Sequence, residues 1–158
     1  MADLRKEELF PADAFGLFYL QTTRIPGGWH RHAEYEIFYH ISGPLVFEVE
    51  GELYPLRPGD FLLLPPDVEH RIHGLPAPGA LPYEGILLKL KPELMEYLKP
   101  RFDAGKELTD CFAKRKTGYL LRLPRNPRRI SGEMLFRLLQ VQKTPETYGH
   151  AINQLSVM

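Results

Sequence analysis

The stretch WHRHAEYEIFYHISG, residues 29–43, holds His30, His32, Glu36 and His40 with aromatic residues between them, directly before a Ser-Gly turn. Imidazole nitrogens and a carboxylate are donors that divalent transition metals such as Zn, Fe, Mn or Ni accept, and donor type alone does not choose among these ions. His30 and His32 stand two residues apart, so on an extended chain their side chains point the same way. By the same alternation Glu36 shares a strand face with Phe38 and His40. Another imidazole, His70, follows the turn–strand–turn segment PGDFLLLPPDVE, and hairpin pairing would bring it opposite the first group. His30, His32, Glu36 and His70 are therefore the candidate metal ligands.

A metal-free reading stands beside this one. The same residues would line a barrel interior with polar groups hydrogen-bonded to one another or to water. Glu36 weighs toward a cation, because a buried carboxylate needs a cation or several donors to offset its desolvation. His40 lies further along the strand, roughly 13 Å from Glu36 at extended rise, too far to share one ion. It reads as a pocket residue instead. Phe38, His40 and Phe47 are the candidate lining of a small-molecule cavity, although aromatic residues on strand faces also serve as plain core. His73 and His150 carry no pattern and read as surface residues.

Strands must hold these residues in place. FGLFYLQT (15–22) and YEIFYHI (35–41) are rich in aromatic and β-branched residues. In LVFEVE, Leu45, Phe47 and Val49 alternate with Val46, Glu48 and Glu50, the period of two of a half-buried strand. Short strands follow in LYPL, FLLL and the segment through His70 and Ile72, and residues 82–90 close the series. Close spacing with Gly and Pro at the turns predicts antiparallel strands in a sandwich or barrel.

After residue 91 the pattern changes. Pro92 followed by ELMEYL predicts a short helix, residues 93–117 are mixed, and GYLLRL is one more strand or an extended segment. Ile130, Met134, Leu138 and Val141 then recur at helical spacing. Thr144-Pro145-Glu146 is a helix start, with Tyr148, Ala151, Ile152 and Leu155 on one apolar face. The expected organisation is a β-barrel sensing domain over 1–91 and a mostly helical part over 92–158. Residues 128–158 would form a helical hairpin suited to dimerisation. The last helix has no finishing signal, so the chain reads as cut rather than concluded.

Composition narrows the function. Twenty basic residues balance twenty acidic ones, for a formal net charge of +0. A chain that grips DNA unaided is usually basic, because phosphate neutralisation supplies most of that affinity. The basic stretch from Lys114 to Arg129 reads either as a contact to DNA or as a solvated rim, with the rim favoured. A single cysteine, Cys111, rules out an internal disulfide. The charged N-terminus lacks the apolar core of a signal peptide, and no apolar run approaches the ~20 residues that span a bilayer. A cytoplasmic location without membrane contact is expected.

Residues 30–43 read H-x-H, three residues, E, six residues, G, which resembles the first cupin motif; Gly59, Pro65 and His70 resemble the second. The resemblance implies a mainly β fold, the double-stranded β-helix or cupin jelly roll, with His30, His32, Glu36 and His70 at the metal-ligand positions. Arg24, Asp67 and Gly74 stand where the motifs carry Gly, Gly and Asn. These departures count against a standard metal-dependent enzyme more than against the fold. From residue 29 through PYEGILLKLKPELMEYL to the terminal helices, the chain is also similar to the amino-terminal sensing and dimerisation domain of AraC/XylS-family transcription regulators. That resemblance implies a small-molecule effector such as a sugar or aromatic acid, a homodimer through the C-terminal helices, and DNA contact only through a domain outside this chain. A non-enzymatic regulator is the leading reading. A metal-dependent cupin enzyme, isomerase or dioxygenase, and a carbohydrate-binding cupin are the alternatives.

Overall fold

Alternation of buried and part-exposed residues organises the fold around strand β2, Tyr35–Ser42, where Glu36, Phe38 and His40 are buried on one face. The computed structural model describes residues 15–23, 28–74, 78–101, 103–115 and 118–142. Its other strands are β1 Phe15–Thr22, β3 Leu45–Val49, β4 Glu52–Leu56, β5 Phe61–Leu64, β6 His70–Ile72, β7 Tyr83–Leu90 and β8 Leu120–Leu121; the helices are α1 Pro92–Leu98, α2 Asp103–Cys111 and α3 Arg125–Gln142.

The strands form a five-stranded sheet in the order β1-β7-β2-β5-β8 and a three-stranded sheet in the order β4-β3-β6. All pairings are antiparallel. Between the sheets lies an interior core containing Phe38, Phe47, Val49, Leu62, Leu64 and Tyr83. On the outer face of the large sheet a second core joins Leu17, Leu63, Ile86 and Leu90 to Met95, Leu98, Phe112 and Leu135 of the helical part. The large sheet is buried on both faces, which is why β5 reads FLLL without alternation.

Two glycines permit this packing. Gly43 turns the chain at φ +81°, and a Cβ there would strike the backbone at Pro82 and Tyr83. Gly85 leaves the space that the Phe38 ring occupies.

The expected elements from β1 to α1 are present in order. Helix α2 lies within the stretch read as mixed. Strand β8, within GYLLRL, pairs with β5, and Tyr119 just before it is buried in the interior core. The segment after residue 91 thus returns to the roll. Tyr119 Oη donates to Glu50 Oε2 at 2.8 Å and Tyr54 Oη to Glu52 Oε2 at 2.7 Å, with Lys114 Nζ 3.6 Å from both carboxylates. Burial, with those carboxylates adding to it, pushes both tyrosines up to about 12.

Helix α3 divides the residues read at helical spacing. Its buried face is Gly132, Leu135, Leu138 and Leu139, whereas Ile130 and Met134 are exposed. Gly132 lets the helix close on the Tyr39 side chain of β2, and that contact selects the face. The expected second helix of the hairpin, residues 144–158 with Tyr148, His150, Ala151, Ile152 and Leu155, lies outside the described residues, as does the side chain of Val141. No described helix is long and apolar enough to cross a membrane. Three cations of the basic stretch are in ion pairs among the described residues: Lys114 as above, Arg122 with Asp60 at 3.1 Å and Arg129 with Glu133 at 2.7 Å.

Candidate metal centre

Strand pairing brings the distant imidazole home. His30 and His70 form an isolated antiparallel bridge, each amide donating to the other's carbonyl, His30 N to His70 O at 3.0 Å and His70 N to His30 O at 2.9 Å. β6 in turn pairs with β3, where Val49 opposes His70. The rings follow: centroids of His30 and His70 are 4.2 Å apart, and those of His32 and His70 are 5.2 Å apart. One ring nitrogen from each of His30, His32 and His70 lies within 4.8 Å of the others. Glu36 enters from β2, its Oε2 2.8 Å from His32 Nε2 and 3.8 Å from His70 Nε2. The three imidazoles converge, and Glu36 adjoins two of them, His32 and His70, without joining the group whose donors all lie within 4.8 Å of one another.

Backbone carbonyls orient the rings. His70 Nδ1 donates to the Val68 carbonyl at 2.9 Å, His32 Nδ1 to the Glu34 carbonyl at 3.1 Å, and His30 Nδ1 lies 3.4 Å from the Gly28 carbonyl. A carbonyl only accepts, so Nδ1 of His70 and of His32 carries the hydrogen; His70 Nε2 is left to face the cluster, while His32 Nε2 meets the Glu36 carboxylate as a donor. An Nδ1–carbonyl bond is how ligating histidines are usually held. His70 Nε2 is buried without a hydrogen-bond partner. Such an orphaned nitrogen costs roughly 1–3 kcal/mol, which a cation would recover.

Electrostatics agree with the geometry. Hydrogen bonding to Glu36 raises His32 above the ordinary imidazole range, against the effect of burial. Burial alone would raise Glu36, but its bond to His32 and the neighbouring imidazoles outweigh it and hold the carboxyl below its usual value. Burial pushes His70 down and keeps it neutral. The site thus presents an ionised carboxylate and a neutral, unpartnered imidazole. His30 is exposed at its outer side.

The other candidates sit deeper. Phe38 and Phe47 are buried with ring centroids 5.1 Å apart in the interior core. His40 is wholly buried, its Nε2 donating to the Gly43 carbonyl at 2.8 Å, while Nδ1 has no partner. Burial lowers its pKa. His73 is exposed and pairs with Glu48 at 3.1 Å.

Sequence reasoning missed the supports around the cluster. Arg71, next to His70, stacks over the Trp29 ring at 4.6 Å and pairs with Glu48 at 2.6 Å, securing both strands of the His30–His70 bridge from the outer face. Trp29 adjoins His30 in sequence, but its pairing with Arg71 has no local signature. Lys89 was missed too: it opposes Glu36 across β2 and β7.

Comparison with known proteins now bears on the roll. Residues 16–75 match the family model described as Cupin domain. The mainly β roll has the cupin fold. Solved structures with similarity to the chain include a proposed mannose-6-phosphate isomerase from Ralstonia eutropha, 23% identical over 52% of this chain and 80% of that one, TM-score 0.45. A cupin protein from Bacteroides fragilis is 24% identical over 49% and 64% of the two chains, TM-score 0.39. A Cupin 2 conserved barrel domain protein from Salinispora arenicola is 22% identical over 60% and 81%, TM-score 0.42. No curated protein matches the chain.

Proposed function

We propose that this chain is an effector-sensing cupin module that holds a divalent transition metal at His30, His32, Glu36 and His70 and binds a small molecule there. Phe38, Phe47 and His40 line the interior beneath. The buried, unpartnered Nε2 of His70, 3.8 Å from the Glu36 carboxylate, carries the reading. When bound, the ion supplies a Lewis acid that grips and polarises an oxygen donor of the ligand. The chain's own groups do the rest: three Nδ1–carbonyl contacts orient the rings, and Glu36 supplies the negative charge.

In the same proposal the module belongs to an AraC/XylS-type regulator in the cytoplasm, with DNA contacted through a domain outside this chain. The sequence resemblance supports this, and the exposed Ile130 and Met134 of α3 offer an apolar stripe for a homodimer. Effector binding would shift the balance between two dimer arrangements only through a difference in affinity for them.

A second reading is a metal-dependent cupin enzyme, an isomerase or dioxygenase. The exposure of His30, which opens the outer side of the site, favours it. Elemental analysis and metal calorimetry on the wild type and His32→Ala test the centre. About one ion per chain, lost in the variant, is expected; equal and negligible metal in both overturns it. Turnover by the loaded protein, without any change in dimer geometry on ligand addition, would favour the enzyme.

A further inference from the structure

Lys89 stands beside this site with no assigned partner. It opposes Glu36 in the β2–β7 register, and directly opposed residues of an antiparallel pair share a face. That face is the interior one, since the next opposed pairs along it are Phe38 with Leu87 and His40 with Gly85. The Lys89 side chain is part-buried. Among the described residues its ammonium makes no hydrogen bond or ion pair, although its charge is felt at both Glu36 and His32. The Glu34 carboxylate lies against His32 Nδ1, 3.6 Å away, on the side of the ring turned from the cluster.

Such a lysine worsens the charge balance of a metal centre. One carboxylate and three neutral imidazoles do not cancel a divalent ion, and Lys89 adds to the excess in a part-buried setting. Leaving that excess unpaired is costly. An anionic ligand reduces it. On the same face Gly16 opposes Lys89 from β1, and the Phe18 ring takes the room a side chain there would fill. Phe18 is 49% exposed although it opposes the interior-facing Leu87, so the roll offers an open apolar surface beside the lysine.

We infer that Lys89 is an anion-anchoring residue, and that the ligand of this site is a small organic acid whose carboxylate bridges the metal centre and Lys89 while its body rests on Phe18 and Leu87. The inference rests on the metal-centre reading above and narrows its ligand to an acid. A neutral sugar would leave Lys89 without a role.

The test is calorimetry on the full chain loaded with Ni(II), using lactate, oxalate and salicylate, each against its neutral amide. Wild type should bind at least one acid more tightly than its amide. Lys89→Met should weaken that acid roughly tenfold to a hundredfold, as expected for loss of a charge-assisted contact, leave the amide unchanged, and leave Ni(II) binding intact or tighter. Lys89→Arg should restore most of the acid affinity. No acid preference in wild type, or equal acid affinity in wild type and Lys89→Met, overturns the inference. Failure of wild type to bind Ni(II) would instead overturn the metal-centre reading, and the two failures are read separately.

Discussion

His70 and Glu36, separated by 34 positions in the chain, meet inside the roll with Nε2 3.8 Å from Oε2. The His30–His70 bridge and the β2–β5 pairing enforce this meeting from two sides. Removing either group should therefore affect metal more than fold. Glu36→Gln should lower affinity for Ni(II) or Zn(II) at least roughly tenfold while far-ultraviolet circular dichroism is unchanged. Unaltered affinity would count against a ligand role for the carboxylate.

Gly85→Ala probes the interior core. The new methyl would overlap the Phe38 ring, and overpacking of this kind typically costs about 1–3 kcal/mol. Urea unfolding should show a lower midpoint with an unchanged slope. Pairing the change with Phe38→Leu should recover part of the loss, because the ring is what the methyl meets.

Stability should fall with acid, and His40 is one cause. Burial holds its pKa below the ordinary imidazole value, so the ring is neutral in the folded state. The unfolded chain takes up the proton first, at about pH 6.5. The contribution is therefore fully present above that pH and drains away as pH falls through the lower, folded value. His70, lowered by burial, acts in the same direction. His32 acts in the opposite one: raised by Glu36, it stabilises below about pH 6.5 and loses that contribution as pH rises through its folded value. His40→Leu should flatten the fall between neutral and mildly acidic pH in denaturant titrations. An unchanged slope would exclude His40 as a cause.

Tyr119 ties the later half of the chain to the roll. Its carbonyl accepts from Leu63 N at 3.0 Å, and its hydroxyl reaches Glu50. Tyr119→Phe should cost about 1 kcal/mol, the worth of one hydrogen bond. Tyr119→Ala should cost about 3–5 kcal/mol, as for other large aromatic truncations. Chemical denaturation of the two variants measures both.

The exposed stripe on α3 bears on assembly. If Ile130 and Met134 are dimer contacts, Ile130→Glu with Met134→Glu should convert dimer to monomer in light scattering while leaving metal affinity intact. Because both side chains are exposed, the fold itself should tolerate the change. A wild-type monomer at high concentration would remove the dimer from the proposal.

By itself the sequence determined the strand series and the ligand types. Alternation in YEIFYHI and LVFEV, the Gly43 turn and the H-x-H…E spacing are local patterns, read by the period of two that the pleated backbone imposes. The tertiary structure alone decided which distant groups meet. His70 beside His30, Lys89 opposite Glu36 and Arg71 over Trp29 follow from strand register, and a shift of one residue would turn each side chain to the other face. Helix α2 escaped notice because DAGKELTDC is short and holds few apolar residues, Leu108 being its one large apolar side chain. Helix α3 carries apolar residues on more than one side, so periodicity alone could not choose between Ile130–Met134 and Leu135–Leu139. The close approach of Gly132 to Tyr39 made that choice, and it exists only once the sheet is in place.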